Sequence, residues 1–362
     1  MIRKFGIIGC GMIAKFHAKA IKDAKGELVA CYDQVPQAAE RISHEFGGKA
    51  YGSLDAFLAD PNVEIVTIGT PSGAHHDPAI SAAKAGKHVI IEKPLEITLE
   101  RCDNIISVCE KAGVTLSAIF PSRFHDSSIK IKQAIEANRF GKLTIGDAIV
   151  KWYRTQEYYD SGAWRGTWEL DGGGALMNQA IHSVDLLTWL MGQVVEIRAQ
   201  TALLAHERIT VEDAAVATVR FANSAIGIIE ATTAAYPGYL KRVEIHGTAG
   251  SAILEEEDII KWDFIASTPE DAVIRETMAN KLSGGGGAAD PSAIGHHGHA
   301  RQFADVLDAI NTGRKPLIDG YEGRRSVEII LGIYKAAETG ATVQLPLKND
   351  PELIVRKSGL KR

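Results

Sequence analysis

Cysteine is scarce in this 362-residue chain: Cys10, Cys31, Cys102 and Cys109 make no CxxC pair and no framework spacing. That argues against a disulfide scaffold and a cysteine zinc site, and predicts reduced, mostly buried thiols. Missing too is any apolar run of roughly 20 residues, the length a membrane-spanning helix needs. There is no basic excess, since 40 Lys and Arg face 45 Asp and Glu for a net charge of -5. A phosphate-backbone partner would normally demand the opposite sign. The N-terminus enters a strand-like run from Ile2 to Ile8 without the charged, apolar and small-residue regions of a signal peptide, so the reading is cytoplasmic. With nucleic acid and membrane set aside, a small molecule is the expected partner.

The chain does have the apolar content of a globular protein, 45% hydrophobic against 23% charged residues. Its length makes two domains the default expectation. Up to about residue 120, short apolar runs alternate with helix-patterned stretches: Phe5 to Ile8, Leu28 to Tyr32, Val63 to Ile68, His88 to Ile91 and Val114 to Ile119. This is the βαβ rhythm of a doubly wound parallel sheet, an α/β Rossmann domain. Gly47, Gly86 and Gly113 stand where helix C-caps need positive φ, and Ser53 and Thr98 stand as N-caps. From about residue 141 longer alternating runs (Leu143 to Arg154, Glu196 to Leu204, Ala214 to Ala222, Ala225 to Thr232, Arg242 to His246) predict an antiparallel or mixed sheet. Helices are expected over Leu176 to Met191, His299 to Thr312 and Tyr321 to Thr339, making this domain α+β. The division expected is 1–122, 123–346 and a tail, 347–362, with a mobile glycine-rich loop from Ser283 to Pro291.

The segment Gly9-Cys10-Gly11-Met12-Ile13-Ala14 follows a strand and opens a helix. Asp33 lies 22 residues beyond Gly11, at the end of the next apolar run. These are the conditions under which a glycine fingerprint signals dinucleotide binding. Gly9 permits the tight turn, Gly11 lets backbone approach the pyrophosphate at the helix N-terminus, and Ala14 allows close helix–strand packing. Asp33 suits the ribose hydroxyls and would repel a 2′-phosphate, favouring NAD over NADP, although a turn acid ahead of Pro36 is the plain alternative.

Glu92-Lys93-Pro94 closes the strand His88 to Ile91, at the carboxyl edge where open α/β sheets bind ligands. Three glycines, 172 to 174, then lead into a helix on which Asn178, His182 and Asp185 recur at i, i+4 and i+7, one polar stripe on an apolar cylinder.

Together with Thr70-Pro71-Ser72 and His75, these motifs resemble, in order and over residues 3 to about 346, the glucose-fructose oxidoreductase / inositol dehydrogenase / rhizopine catabolism (Gfo/Idh/MocA) family. The resemblance implies a Rossmann domain followed by an α+β domain with a large open sheet, and homodimers or homotetramers through that sheet. It implies an NAD(P)-dependent oxidoreductase of sugars, sugar derivatives or cyclitols. By the same resemblance Lys93 and His182 are the catalytic proton-handling pair, with Asn178 beside them. Gly9, Gly11, Met12, Ile13, Asp33, Thr70, Pro71, His75, Glu92, Lys93 and Pro94 would hold the cofactor. Many members have Asp four residues before the histidine, and Asn178 cannot stabilise an imidazolium by charge.

For the substrate, Lys93, Asn178, Gln179 and His182 are joined by Trp164 and Arg165, from a run of six aromatics between residues 152 and 168, and by Arg123. Aromatic faces suit sugar rings, and either arginine suits a carboxylate or phosphate, with a structural ion pair as the alternative. The cluster His296-His297-Gly298-His299 matches no zinc spacing and no carboxylate partner is identifiable, so no metal is expected; His299 is read as lying near the substrate. Alternatives are a nucleotide-sugar or glycoside dehydrogenase and a non-catalytic cofactor-sensing regulator.

Overall fold

A computed structural model of the chain describes residues 2–278 and 296–359. The glycine-rich segment from Ser283 to Pro291 lies outside the described residues. Two compact units result, Met1–Pro121 with Gly295–Val327, and Ser122–Ile294 with Glu328–Arg362.

In the first unit six parallel strands, β1 (Lys4–Ile8), β2 (Glu27–Tyr32), β3 (Lys49–Tyr51), β4 (Ile65–Ile68), β5 (His88–Ile91) and β6 (Leu116–Ala118), stand in the order β3-β2-β1-β4-β5-β6. The order reverses beside β1, the place where doubly wound sheets bind ligands. Strand β1 is central and covered on both faces, which is why Phe5, Ile7 and Ile8 are all buried. Three-residue β3 was not foreseen, since it is too short to show a pattern. Gly47 and Gly113 take positive φ at helix C-caps, while the hydroxyls of Ser53 and Thr98 cap helices at Ala56 N and Arg101 N.

The helix His297–Thr312 belongs to this unit rather than to the continuous second domain expected from sequence. The reason is packing. Phe303 is fully buried and stacks on Phe5 with centroids 5.9 Å apart, and Val306 and Leu307 join the core built by Ile7, Ala14, Ala18 and Ile21.

The second unit is built on eight strands: β7 (Leu143–Lys151), β8 (Val194–Ala202), β9 (Ala214–Phe221), β10 (Ile226–Thr232), β11 (Arg242–Gly247), β12 (Gly250–Glu255), β13 (Asp258–Phe264) and β14 (Val343–Gln344). Their order is β13-β12-β11-β7-β10-β9-β8-β14, and every pair is antiparallel except β7–β10. Along β9, Ala215, Ala217, Val219 and Phe221 are buried while Val216, Thr218 and Arg220 are exposed. The opposite face thus carries Val216 and Thr218 with Ile226, Ile228 and Ile145, because Ile226 pairs with Arg220 and Ile145, and Ile228 with Thr218. No helix among the described residues is long and apolar enough to cross a membrane, and all four cysteines are buried and free.

The first unit's dependence on the late helix is testable. Phe303→Ala is expected to cost about 3–5 kcal/mol, as for other buried aromatic deletions. Chemical denaturation should show the loss in the midpoint; a change below about 1 kcal/mol would place Phe303 outside the core.

Candidate functional site

In the first unit the glycine turn is as tight as the motif requires. Gly9 has φ of 87°, and a Cβ there would lie 2.6 Å from Gly69 C and Thr70 N. Gly11 is the reverse case, with nothing within 4 Å of where a Cβ would project. The helix Met12–Asp23 it opens has no side-chain cap, so the first-turn amides, Met12 and Ile13 among them, face outward at a positive helix end. This open cradle fits a pyrophosphate. Asp33 accepts from Cys10 N at 2.7 Å and Val35 N at 2.8 Å, which fixes its carboxylate beside the turn. It is thus a turn acid, with each carboxylate oxygen taken by a backbone amide. Arg41, not singled out from sequence, reaches Cys10 O at 3.4 Å and brings a cation to the same turn.

At the carboxyl ends of β4 and β5, buried His75 links two loops, its Nδ1 2.9 Å from Pro94 O and its Nε2 3.0 Å from Thr70 O. Burial keeps this ring neutral by lowering its pKa, against the pull of the two carbonyls. Thr70 Oγ1 donates to Ala74 O at 3.0 Å, closing the turn that contains Pro71. Lys93 is half-buried between buried Glu92 and Pro94, and the Lys93–Pro94 bond is cis.

Beneath Lys93 lies a buried polar line. The Thr67 hydroxyl is 3.0 Å from His17 Nδ1, His17 Nε2 is 2.8 Å from Glu92 Oε1, and His299 Nε2 is 3.5 Å from the same oxygen. Burial works to raise the Glu92 carboxyl, yet the hydrogen bonds from His17 and His299 outweigh it and hold it well below the usual range. Burial lowers His17. The network therefore reads as Thr67 O–H donating to a neutral His17, whose Nε2–H donates to an ionised Glu92. Glu92 Oε2 in turn accepts from Lys93 N at 3.1 Å, fixing the backbone that carries the lysine.

His299 is thus a buried partner of Glu92, 5% exposed, and not the substrate-side residue expected. The carboxylates that could not be assigned from sequence are Glu92 for His299 and Asp23 for His296, the latter at 2.9 Å. Each arrives from more than 200 residues away along the chain.

In the second unit the glycine-led segment opens as a π turn, Ala175–Ala180, and continues as the α-helix Ile181–Met191. Glu212 starts it. Its carbonyl accepts from Ala175 N at 3.1 Å, and its carboxylate accepts from Gly174 N and Leu176 N at 2.9 Å each and from Tyr334 O–H at 3.0 Å. A Cβ on Gly174 would sit 1.7 Å from the Glu212 carbonyl oxygen, so only glycine fits. Burial pushes the Glu212 carboxyl up to about 7, with the amides and Tyr334 acting against it. Burial and the charge of Glu212 hold the Tyr334 phenol well above its ordinary value, so it remains a donor.

From Ala175 to Met191 every residue is buried except Asn178, His182 and Trp189, which are intermediate. The polar stripe is therefore real for Asn178 and His182 and fails at Asp185. That carboxylate is fully buried and grips Arg123 through two bonds, at 2.8 Å to Nε and 2.6 Å to the terminal nitrogen. Arg123, 1% exposed, is accordingly a structural ion pair and not a substrate arginine. Asn178 Nδ2 donates to buried Asp171 at 2.5 Å.

Arg165 lies 4.4 Å from the ring centroid of Tyr158 and 4.5 Å from that of Trp164, and donates to Tyr158 O–H at 2.7 Å. Gln179 donates to the same hydroxyl at 3.1 Å, so half-buried Tyr158, Trp164 and Arg165 form one polar and aromatic cluster on buried Gln179. Tyr158, Asp171, Glu212 and His17, which contact or support the candidate residues, were not singled out from sequence. The only signals were an acid immediately before the glycine run and an acid pair, Glu212-Asp213, immediately before β9.

Residues 3–120 match the oxidoreductase family described as having an NAD-binding Rossmann fold, and residues 128–253 match the GFO/IDH/MocA C-terminal domain. The chain belongs to the Gfo/Idh/MocA oxidoreductase family. It is 30% identical to a myo-inositol 2-dehydrogenase of Thermotoga maritima over 261 residues, 68% of this chain and 73% of that protein. It is 24% identical to a scyllo-inositol 2-dehydrogenase (NAD(+)) of Bacillus subtilis, over 94% of this chain and 96% of the other. The crystal structure of the WlbA dehydrogenase from Bordetella pertussis, in complex with NADH and UDP-GlcNAcA, superposes with a TM-score of 0.87 at 36% identity, covering 96% of this chain and 99% of that one. The fold is thus a Rossmann unit and a mostly antiparallel open-sheet unit of this family, and the first unit is its NAD-binding part.

The Glu212 anchor predicts a pH dependence of stability. Its folded pKa lies above the ordinary carboxyl value, so its contribution is full below about pH 4.5 and is lost as pH rises through 7. Wild-type unfolding free energy should fall by up to about 3 kcal/mol across that window relative to Glu212→Gln. Parallel stability curves for the two proteins between pH 5 and 7.5 would show that the carboxyl does not titrate there.

Proposed function

We propose that this chain is an NAD-dependent dehydrogenase that moves a hydride between the nicotinamide and a ring CH–OH or ketone of a sugar, sugar derivative or cyclitol. The observation that carries this reading is the helix Ala175–Met191, on which burial spares only Asn178, His182 and Trp189. A helix led by three glycines and otherwise sealed on all sides offers its imidazole to a ligand rather than to its own core.

Bound NAD supplies the hydride acceptor. His182 takes the hydroxyl proton as the carbinol carbon gives up its hydride, and the Lys93 ammonium stabilises the oxygen as negative charge develops on it. Asn178 orients the substrate hydroxyl, and the His17–Glu92–His299 line fixes the Lys93 backbone. Gly9, Gly11, Met12 and Ile13 cradle the pyrophosphate and Asp33 accepts from the ribose. Thr70, Pro71, His75 and Pro94 shape the nicotinamide end, with His75 acting as the clamp between loops.

Trp164, Arg165 and Gln179, with Tyr158, form the substrate-recognition cluster. A nucleotide-linked sugar acid is the second reading, supported by 36% identity over nearly the whole chain to a protein crystallised with UDP-GlcNAcA, against 30% over two-thirds of the chain for the inositol enzyme. An Arg165 guanidinium held between two rings suits such an anionic substrate. We further propose that the chain forms homodimers or homotetramers through the open face of its large sheet, where Val216 and Ile226 are 53% and 51% exposed.

The function is tested by following NADH absorbance with inositols, free sugars, sugar acids and UDP-linked sugars, each with NAD and with NADP. Turnover with NAD on at least one ring alcohol is expected; normal NAD binding without turnover on any of them would identify a cofactor sensor instead. His182→Ala should lower kcat by roughly 10²–10⁴ while the NAD Kd stays unchanged. The paired change Val216→Asp with Ile226→Asp should shift sedimentation to the monomer, and an unaltered sedimentation profile would move the interface elsewhere.

A further inference from the structure

The open face of the large sheet sorts its charges by strand. Adjacent strands in the order β11-β7-β10-β9-β8 carry two rows of outward side chains across it. One row reads Glu244, Asp147, Ile228, Thr218, Arg198: Glu244 pairs with Asp147, Ile228 with Thr218 and Thr218 with Arg198, while Asp147 Oδ1 accepts from Ile228 N at 2.9 Å. The next row reads His246, Ile145, Ile226, Arg220, Glu196. All of these keep exposed surface, whereas the residues that alternate with them, such as Ala148, Ile229, Val219 and Ile197, are buried.

Some charges on this face are answered within the chain, Lys151 by Glu230 at 3.4 Å and Arg242 by Glu255 at 2.6 Å. Asp147 and Glu244 are a different case. Like charges directly opposite on neighbouring strands destabilise a sheet. Burial and the charge of Glu244 push the Asp147 carboxyl up, against the pull of the Ile228 amide. This acidic pair lies to one side of the isoleucines of β10. Two strands to the other side, Arg198 is exposed in a groove of about 600 Å³, lined also by Gln200, Val216, Thr218 and Thr342, whose hydroxyl accepts from Arg198 Nε at 2.8 Å.

We propose that two copies of this chain pack these faces together about a two-fold axis running along β10, so that Glu244 of each copy meets Arg198 of the other. This rests on the reading of the open face as the homo-oligomer interface, and it selects among the ways two such faces can meet. A two-fold that lays one face on its copy lies in the plane between them. Run along the strands, it reverses strand order: β11 falls over β8 and β7 over β9. The acidic pair then faces Arg198 and Thr218, His246 faces Glu196, and Ile145 lies on the aliphatic stem of Arg220. Ile226 and Ile228 meet their own copies at the centre. Glu230 also lies on the axis, with its charge already answered by Lys151. Run across the strands instead, the axis lays each strand on itself, and Glu244, Asp147 and Arg198 each face their own charge, an arrangement that specific interfaces avoid. The groove around Arg198 receives the second copy's Glu244.

The test is sedimentation equilibrium on the full-length protein, joined to cross-linking. Glu244→Arg and Arg198→Glu should each weaken self-association about tenfold or more, and the swap E244R/R198E should return it to within about threefold of wild type. Independently, Ile228→Cys should be joined to its own copy by a bis-maleimide of about 10 Å reach, the spacing of packed sheets. Gln200→Cys, two strands off the axis, should not, and the four native cysteines are buried. A swap that stays as weak as the single changes, or cross-linking of Q200C but not of I228C, overturns the axis. A monomeric wild type, or no effect of the paired change Val216→Asp with Ile226→Asp, removes the interface reading itself. An oligomer broken by that pair but indifferent to E244R and R198E removes the axis alone.

Discussion

The second unit's site depends on one close approach, that of Gly174 to Glu212. No Cβ can be accommodated there, and in exchange one residue satisfies three successive amides, at Gly174, Ala175 and Leu176, that would otherwise be orphaned at a buried helix start. The helix can therefore begin inside the protein without a cap of its own, and begin as a π turn. That turn is what brings Asn178 and His182 to the surface while Asp185 rotates into the interior. Glycine at 174 and glutamate at 212 are two halves of a single device.

The first unit uses the same chemistry at a strand end. There the buried acid is Glu92, held ionised by His17 and His299, and the residue it steadies is its own neighbour Lys93. In both units a half-exposed side chain, Lys93 or His182, follows backbone pinned by a buried carboxylate. The carboxylates differ in their state, because Glu92 has imidazole donors that outweigh its burial whereas Glu212 has amides and a phenol that do not. A buried acid accepting from several donors is a rigid support, which a site that must hold atoms within a fraction of an ångström requires.

Much of this could be read from sequence wherever the determining contacts are local. Gly9 to Ala14 with Asp33, Glu92-Lys93-Pro94, the capping residues Ser53 and Thr98, and the alternation along β9 and β10 each carry their meaning within a few residues. What escaped was decided by distant partners. Arg123 was a plausible anion binder until Asp185, 62 residues on, closed around it. His299 looked like part of a loop cluster until residues 17 and 92 enclosed it. Strands β12 and β13 went unnamed because their alternation is broken by Glu256 at positive φ and by a register shift between Ile253 and Leu254. The reading of residues 123–346 as one domain found the helix near His299 to Thr312 but gave it to the wrong unit, because its apolar face answers Phe5.

That helix has a consequence for how the protein is made. Phe5 is synthesised about 300 residues before its stacking partner Phe303, and Glu92 about 200 residues before the His299 imidazole that meets it. Domains usually complete themselves in the order in which they are synthesised. Here the nucleotide-binding unit cannot complete its core until residues 122–294, which carry β7 to β13, have been translated. The cofactor-binding unit therefore closes only after seven of the eight strands of the open sheet exist, and β14 follows it.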